Sequence, residues 1–231
     1  MSGFNDRGNG WKEKSPGRVK RHDRDAAVYN VDVNRSEQIE GIYPSYLTGR
    51  THPAHSDLEL QWLELVEVLP DVKGYASQPK TFEFELEGKR RLYTPDTRID
   101  LAGGKTVFTE VKPLEIAERQ EMLALWPVLK RAIGATGADF KVVTEEIIRA
   151  EPCRENVTFL NLYRTVDIPD PVYFELQALL ADTGAATIAE LADFVGGEGR
   201  VWIYGLIFHH VLQIDLDAPL TDASLVQLNL Y

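Results

Sequence analysis

Cysteine is almost missing from this chain: Cys153 is the only one in 231 residues. An internal disulfide is therefore excluded. With no C-x-x-C pair and five scattered histidines, so is a zinc site recognisable by ligand spacing. Any metal bound here has to be held by oxygen. Long hydrophobic runs are lacking too. None approaches the roughly 20 residues of a membrane-spanning helix, and the N-terminus is polar rather than basic and then apolar, so the expectation is a cytoplasmic protein with no membrane partner. Basic residues run out toward the C-terminus, where positions 167–231 hold one, Arg200, against ten Asp and Glu. That stretch lacks the cations that bind phosphates, which argues against it as a DNA-reading surface.

What is present is a 44% apolar composition, enough for a substantial core in one large domain or two small ones. The net charge of −11 is unevenly spread. Residues 1–24 carry seven Lys and Arg against three acids, and residues 25–166 carry 17 against 23. Such asymmetry points to different partners for the two ends. Residues 1–36 have no apolar period and read as a flexible basic arm that can pair with phosphates or merely aid solubility. Residues 37–166 read as the main domain and 167–231 as a smaller one.

Within the main domain, Leu58, Trp62, Leu65 and Leu69 recur at helical spacing. Ser56 and Glu59 match a capping box, so a helix is expected from there to Pro70. From Lys80 to Thr94 the period becomes two, with Glu87-Gly88-Lys89 as the turn of a β-hairpin. Strands near Arg98–Leu101 and Thr106–Lys112 are expected to extend that hairpin into an antiparallel meander. A helix over Leu114–Ile133, bent at Pro127, and a strand over Ala138–Thr144 follow. This order describes an α/β fold, a mixed sheet flanked by helices. In the last third, an apolar run at Val157–Tyr163 precedes three short helices (Tyr173–Ala181, Thr187–Val195, Val201–Val211) and a closing β-pair (Gln213–Leu216 with Leu225–Leu230). That succession is winged-helix-like. Its acidity and aromatic third helix fit a protein partner with a basic segment.

Strand alternation puts Glu110 and Lys112 on one face and Val107, Thr109 and Val111 on the other. Together with Asp96, which follows Pro95, they can serve phosphodiester hydrolysis. Asp96 and Glu110 offer oxygens to Mg²⁺ or Mn²⁺, the Val111 carbonyl a further ligand, and Lys112 a cation for the developing charge. Glu59 is a candidate supplementary ligand. A surface ion pair with a turn aspartate, and a capping role alone for Glu59, explain the same residues. The similar set Pro70-Asp71 with Glu87-Gly88-Lys89 is discounted because glycine in the middle marks a solvent-facing turn. His52-Pro53-Ala54-His55 reads as a loop, His209-His210 as core plus surface, and Lys89, Arg90 and Arg91 as solvated hairpin charges.

Ser56-x-x-Glu59, Leu69-Pro70-Asp71-Val72, Gln78-Pro79, Arg90-Arg91-x-Tyr93-x-Pro95-Asp96 and Glu110-Val111-Lys112-Pro113, in this order, resemble the TnsA endonuclease subunit of heteromeric cut-and-paste transposases. That family belongs to the restriction-endonuclease-like PD-(D/E)xK nucleases. The resemblance spans roughly residues 45–165. It implies a Mg²⁺-dependent endodeoxyribonuclease with Glu59, Asp96, Glu110 and Lys112 as catalytic set and Gln78 in a supporting role. It further implies cleavage of the 5′ strands at transposon ends, nucleoid association, and as partners a DDE-type transposase and an AAA+ regulator. A stand-alone restriction or repair nuclease and a catalytically inactive adaptor are the alternatives. Thr97 departs from the family, which usually places an aromatic or bulky apolar residue after the Pro-Asp.

Overall fold

The computed structural model describes residues 41–230, so the arm expected over residues 1–36 lies outside the described residues. A short antiparallel pair, β1 (Gly41–Pro44) and β2 (Thr51–Ala54), leads into α1 (Asp57–Val68). His52 thus stands in a strand, not the expected loop. It is held there by a ring contact with Tyr75 and a 2.7 Å hydrogen bond to Thr48. The helix starts where the sequence places it. Ser56 Oγ accepts the Glu59 N–H at 3.1 Å, and the Glu59 carboxylate accepts the His55 N–H at 2.9 Å, one residue earlier than in a standard capping box. Leu58, Trp62 and Leu65 are buried and Leu69 closes the helix.

β3 (Val72–Ser77) escaped the sequence reading because Gly74 interrupts its alternation, at a register shift in the pairing. β4 (Phe82–Leu86) and β5 (Lys89–Tyr93) form the expected hairpin, with Glu87 and Gly88 both at positive φ in its turn. The decoy Glu87 and Lys89 are exposed there. This hairpin does not continue into a meander. It is a separate two-stranded sheet, while β3, β6 (Thr97–Leu101), β7 (Thr106–Val111) and β8 (Asp139–Val143) form the central sheet in the order β3-β6-β7-β8. Only β7 and β8 run parallel. The reason is burial: Phe82, Phe84 and Tyr93 pack with Phe108 on the face of the sheet, and Phe82 meets Phe108 edge-on at 4.9 Å. Ladder extension would leave those rings in water.

The expected single helix after β7 is two, α2 (Leu114–Ala117) and α3 (Gln120–Gly134), separated by an extended Arg119. Pro127 lies inside α3, and the break is upstream of it. Trp126 Nε1 donates to the Ala117 carbonyl at 3.0 Å and ties the two pieces together. Met122, Leu125, Leu129 and Ile133 of α3 fill the core on the hairpin side, whereas α1 covers the opposite face through Leu58, Trp62, Leu65 and Val66. The mixed sheet flanked by helices is as expected.

Beyond β8 come α4 (Glu145–Ile148), α5 (Cys153–Asn161), which the sequence showed only as an apolar run, and α6 (Asp170–Thr183). β9 (Ala186–Thr187), α7 (Ile188–Val195), α8 (Gly199–Phe208), β10 (Leu212–Gln213) and β11 (Leu225–Leu228) follow. The small sheet has the order β10-β11-β9, and β9 is too short for a period to reveal. Thr187 and Glu190 form a full capping box on α7. Ile203, Leu206, Ile207 and Phe208 of α8 are buried in the same apolar cluster as α1, so the core is continuous across residue 166. Gly205 lets the connecting segment pack close on α8: a Cβ there would stand 3.2 Å from Ile168 and 3.3 Å from Val166.

His209 and His210 lie just past α8, and His210 Nε2 meets the Glu67 carbonyl at 2.5 Å. Burial lowers the pKa of His52, His209 and His210 below the ordinary 6.5. The unfolded chain therefore takes up protons first as pH falls. Stability from these groups is complete above about pH 6.5 and is lost as pH drops below it. Urea unfolding of the wild type is expected to show that loss, with a shallower pH slope in His210→Gln; equal slopes would remove His210 from the account.

Candidate active site

Proline fixes the backbone at residue 95, and Asp96 emerges at the junction of the hairpin with β6, opposite the end of β7. Its Oδ2 accepts the Val111 N–H at 2.8 Å, and its carbonyl accepts the Gln78 N–H at 2.8 Å. Three chain segments thus meet at one aspartate. Gln78 adopts φ 45°, a left-handed conformation uncommon outside glycine and asparagine, and its side-chain nitrogen contacts His55 Nδ1 at 3.2 Å. This places Gln78 beside the start of α1.

Period-two alternation sends Glu110 to the same face as Phe108, beneath the β4–β5 hairpin. Lys112, one residue past β7, is fixed by its N–H donating to the Val143 carbonyl at 3.0 Å. Lys112 Nζ then stands 2.7 Å from Glu110 Oε1 and 3.9 Å from Asp96 Oδ2. The Glu110 side chain is 4% exposed and those of Asp96 and Lys112 14% and 18%, so this is no surface ion pair. On the other face Trp62 Nε1 donates to Thr109 Oγ1 at 3.0 Å, anchoring α1 to β7. Thr97, the departure from the resembling family, is buried and pairs in register with Thr109. A small residue fits there because Trp62 already reaches that strand pair.

Glu59 is brought near: its charge acts on both Asp96 and Lys112. Its carboxylate is meanwhile engaged at the helix cap, with Ser56 Oγ donating to Oε1 at 3.2 Å. The capping explanation of Glu59 is borne out, and the same carboxylate lies within electrostatic reach of Asp96 and Lys112. Among the described residues no group of three or more His, Cys, Asp or Glu is arranged to enclose a metal ion. The carboxylates at this end of the sheet are bridged by Lys112.

The electrostatics are those of a site with excess negative charge. Burial, and then the charge of Glu110, push the Asp96 carboxyl well above the ordinary carboxylate range, against the pull of Lys112. Burial alone would lower Lys112, but Glu110 and Asp96 outweigh it and hold the ammonium above its usual value. Lys112 is therefore a cation beside these two carboxylates. Glu110 Oε2 is buried without a hydrogen-bond partner, at a typical cost of about 1–3 kcal/mol. A buried carboxylate beside a second one suits a hard divalent cation, and the oxygen-only donor set matches Mg²⁺ or Mn²⁺.

Two contributors were missed in the sequence reading of the site. Glu145 Oε2 accepts the Leu114 N–H at 2.8 Å and fixes the turn that follows Lys112; no local pattern marks it, since it comes from the far end of β8. Tyr93, whose hydroxyl is buried beside Glu110, is marked in the sequence only by the resemblance. Its place in the alternating hairpin was the available signal.

No match is found among curated proteins. Residues 69–145 match the family model described as TnsA-like endonuclease N terminal. The matched stretch runs from the end of α1 to the start of α4 and contains Gln78, Asp96, Glu110 and Lys112, while Glu59 lies outside it. Over that stretch, the α/β unit that assembles this charged site is similar to TnsA-like endonuclease N-terminal domains.

Proposed function

We propose that the chain is a metal-dependent endonuclease subunit that cleaves the 5′ strands at transposon ends. The observation carrying this reading is the meeting of Asp96, Glu110 and Lys112 at the end of β7, inside the matched domain. In it Asp96, Glu110 and the Val111 carbonyl hold Mg²⁺ or Mn²⁺, with Glu59 supplementary. The bound ion supplies polarisation of the scissile phosphate and a more acidic water. Lys112 faces the charge that develops on the phosphate, and Gln78 positions Asp96 through the backbone. Partners in this reading are DNA, a DDE-type transposase and an AAA+ regulator, and the setting is the cytoplasm at the nucleoid.

The C-terminal segment reads as a winged-helix-like interaction domain, supported by three helices and the strand order β10-β11-β9. Its α8 is mostly buried, which favours docking of a basic partner segment on the acidic surface over insertion of α8 into DNA. A strand-resolved cleavage assay on transposon-end duplexes with the reconstituted partners tests the whole reading. The 5′ strand is expected to be cut only with Mg²⁺ or Mn²⁺. Cutting that persists in chelator, or that falls on the 3′ strand, would sink it. The adaptor alternative draws on the Lys112 bridge; calorimetry showing no divalent-metal uptake would favour it.

A further inference from the structure

Two buried polar atoms on the hairpin side of the sheet, the Tyr93 hydroxyl and Glu110 Oε2, have no hydrogen-bond partner. The fold explains why they are neighbours. Phe82 and Tyr93 are directly paired across β4 and β5, and Phe108 and Glu110 are successive same-face residues of β7. Because Phe82 sits on Phe108 at 4.9 Å between centroids, its cross-strand mate Tyr93 is carried over Glu110. Tyr93 and Glu110 are 8% and 3% exposed, so water does not serve either atom freely. One is a donor lacking an acceptor and the other an acceptor lacking a donor.

We infer that Tyr93 is a positioning residue for Glu110: its hydroxyl is the donor for Oε2, and this orients Oε1 toward Lys112 and Asp96. The inference rests on the nuclease reading for its catalytic meaning. A carboxylate held at one oxygen by Lys112 alone can swing about its last side-chain bond, and a second donor on the opposite oxygen removes that freedom. Partners that orient a metal ligand in this way commonly change metal affinity by about 10- to 100-fold when removed. The phenol is suited to the task because it stays protonated: burial, then the charge of Glu110, raise its pKa far above neutrality. The ring also packs in the hairpin core with Phe82, Phe84 and Phe108, so Tyr93→Phe removes the donor and leaves the packing.

The test uses the full chain. In Tyr93→Phe a modest fall in melting temperature is expected, because Glu110 Oε2 loses its donor, while the Mg²⁺ dissociation constant from calorimetry rises about 10-fold or more. The carboxyl ¹³C signal of Glu110, assigned by its loss in Glu110→Gln, is expected to shift. A merely structural role would move melting and leave the other two. An unshifted Glu110 signal, or a Mg²⁺ affinity equal to that of a metal-binding wild type, overturns the inference. A wild type with no Glu110-dependent Mg²⁺ uptake overturns the nuclease reading instead, and the Glu110 signal alone then decides whether Tyr93 orients it.

Discussion

Asp96→Ala is expected to reduce 5′ strand cleavage in the reconstituted reaction on the order of 10³-fold or more, while DNA binding by the assembled complex persists. The size follows from what one side chain does here. Asp96 is a proposed metal ligand, the acceptor of the Val111 N–H at 2.8 Å, and the residue whose carbonyl fixes Gln78. Only the first of these is chemistry. Asp96→Asn separates them, since an amide oxygen still accepts from Val111 but carries no charge. The asparagine variant is expected to keep the wild-type fold and remain as inactive as the alanine variant. Substantial cleavage by either would remove Asp96 from the catalytic set.

Lys112→Met should produce the second large effect, in two parts. Cleavage falls on the order of 10²-fold or more, through loss of the cation facing the phosphate. The chain without metal is also destabilised by about 3–5 kcal/mol, because Glu110 and Asp96 are left buried together with no counter-ion. Methionine fills the space of the lysine stem, so little of that cost is packing. The informative result is the response to Mg²⁺. A divalent ion replaces the lost positive charge and binds the folded form only, so it is expected to raise the melting temperature of Lys112→Met more than that of the wild type. No response in either chain would mean that the carboxylates do not take up the ion, and equal positive responses would mean that Lys112 does not compete with it. Denaturant unfolding with and without Mg²⁺ measures both parts on the same sample.

These expectations rest on a site whose components were legible in the sequence to different degrees. Glu110 and Lys112 could be placed on one face because strand alternation depends only on backbone geometry, and their 2.7 Å contact agrees with that. Ser56 and Glu59 announced the start of α1 because a helix cap is a local interaction. Glu87-Gly88-Lys89 could be set aside because glycine between charges marks a turn. The hairpin's placement was misread for the opposite reason. Whether a pair of strands extends a ladder or lies on a sheet's face is decided by which apolar surface it buries, and that partner, Phe108, is distant in sequence. The break between α2 and α3 similarly depends on Trp126 reaching back to Ala117.

By itself, then, the sequence determined the period of each longer element, the local caps and turns, the lack of a zinc-ligand spacing and the uneven charge, all set by neighbouring residues or by composition. Tertiary structure alone decided that Asp96, Glu110 and Lys112 share one buried end of the sheet, that Gln78 and Glu145 brace it, and that Tyr93 covers Glu110. Each of those contacts joins segments far apart along the chain. Burial and the sum of nearby charges, which set how these groups ionise, exist only once the segments have packed.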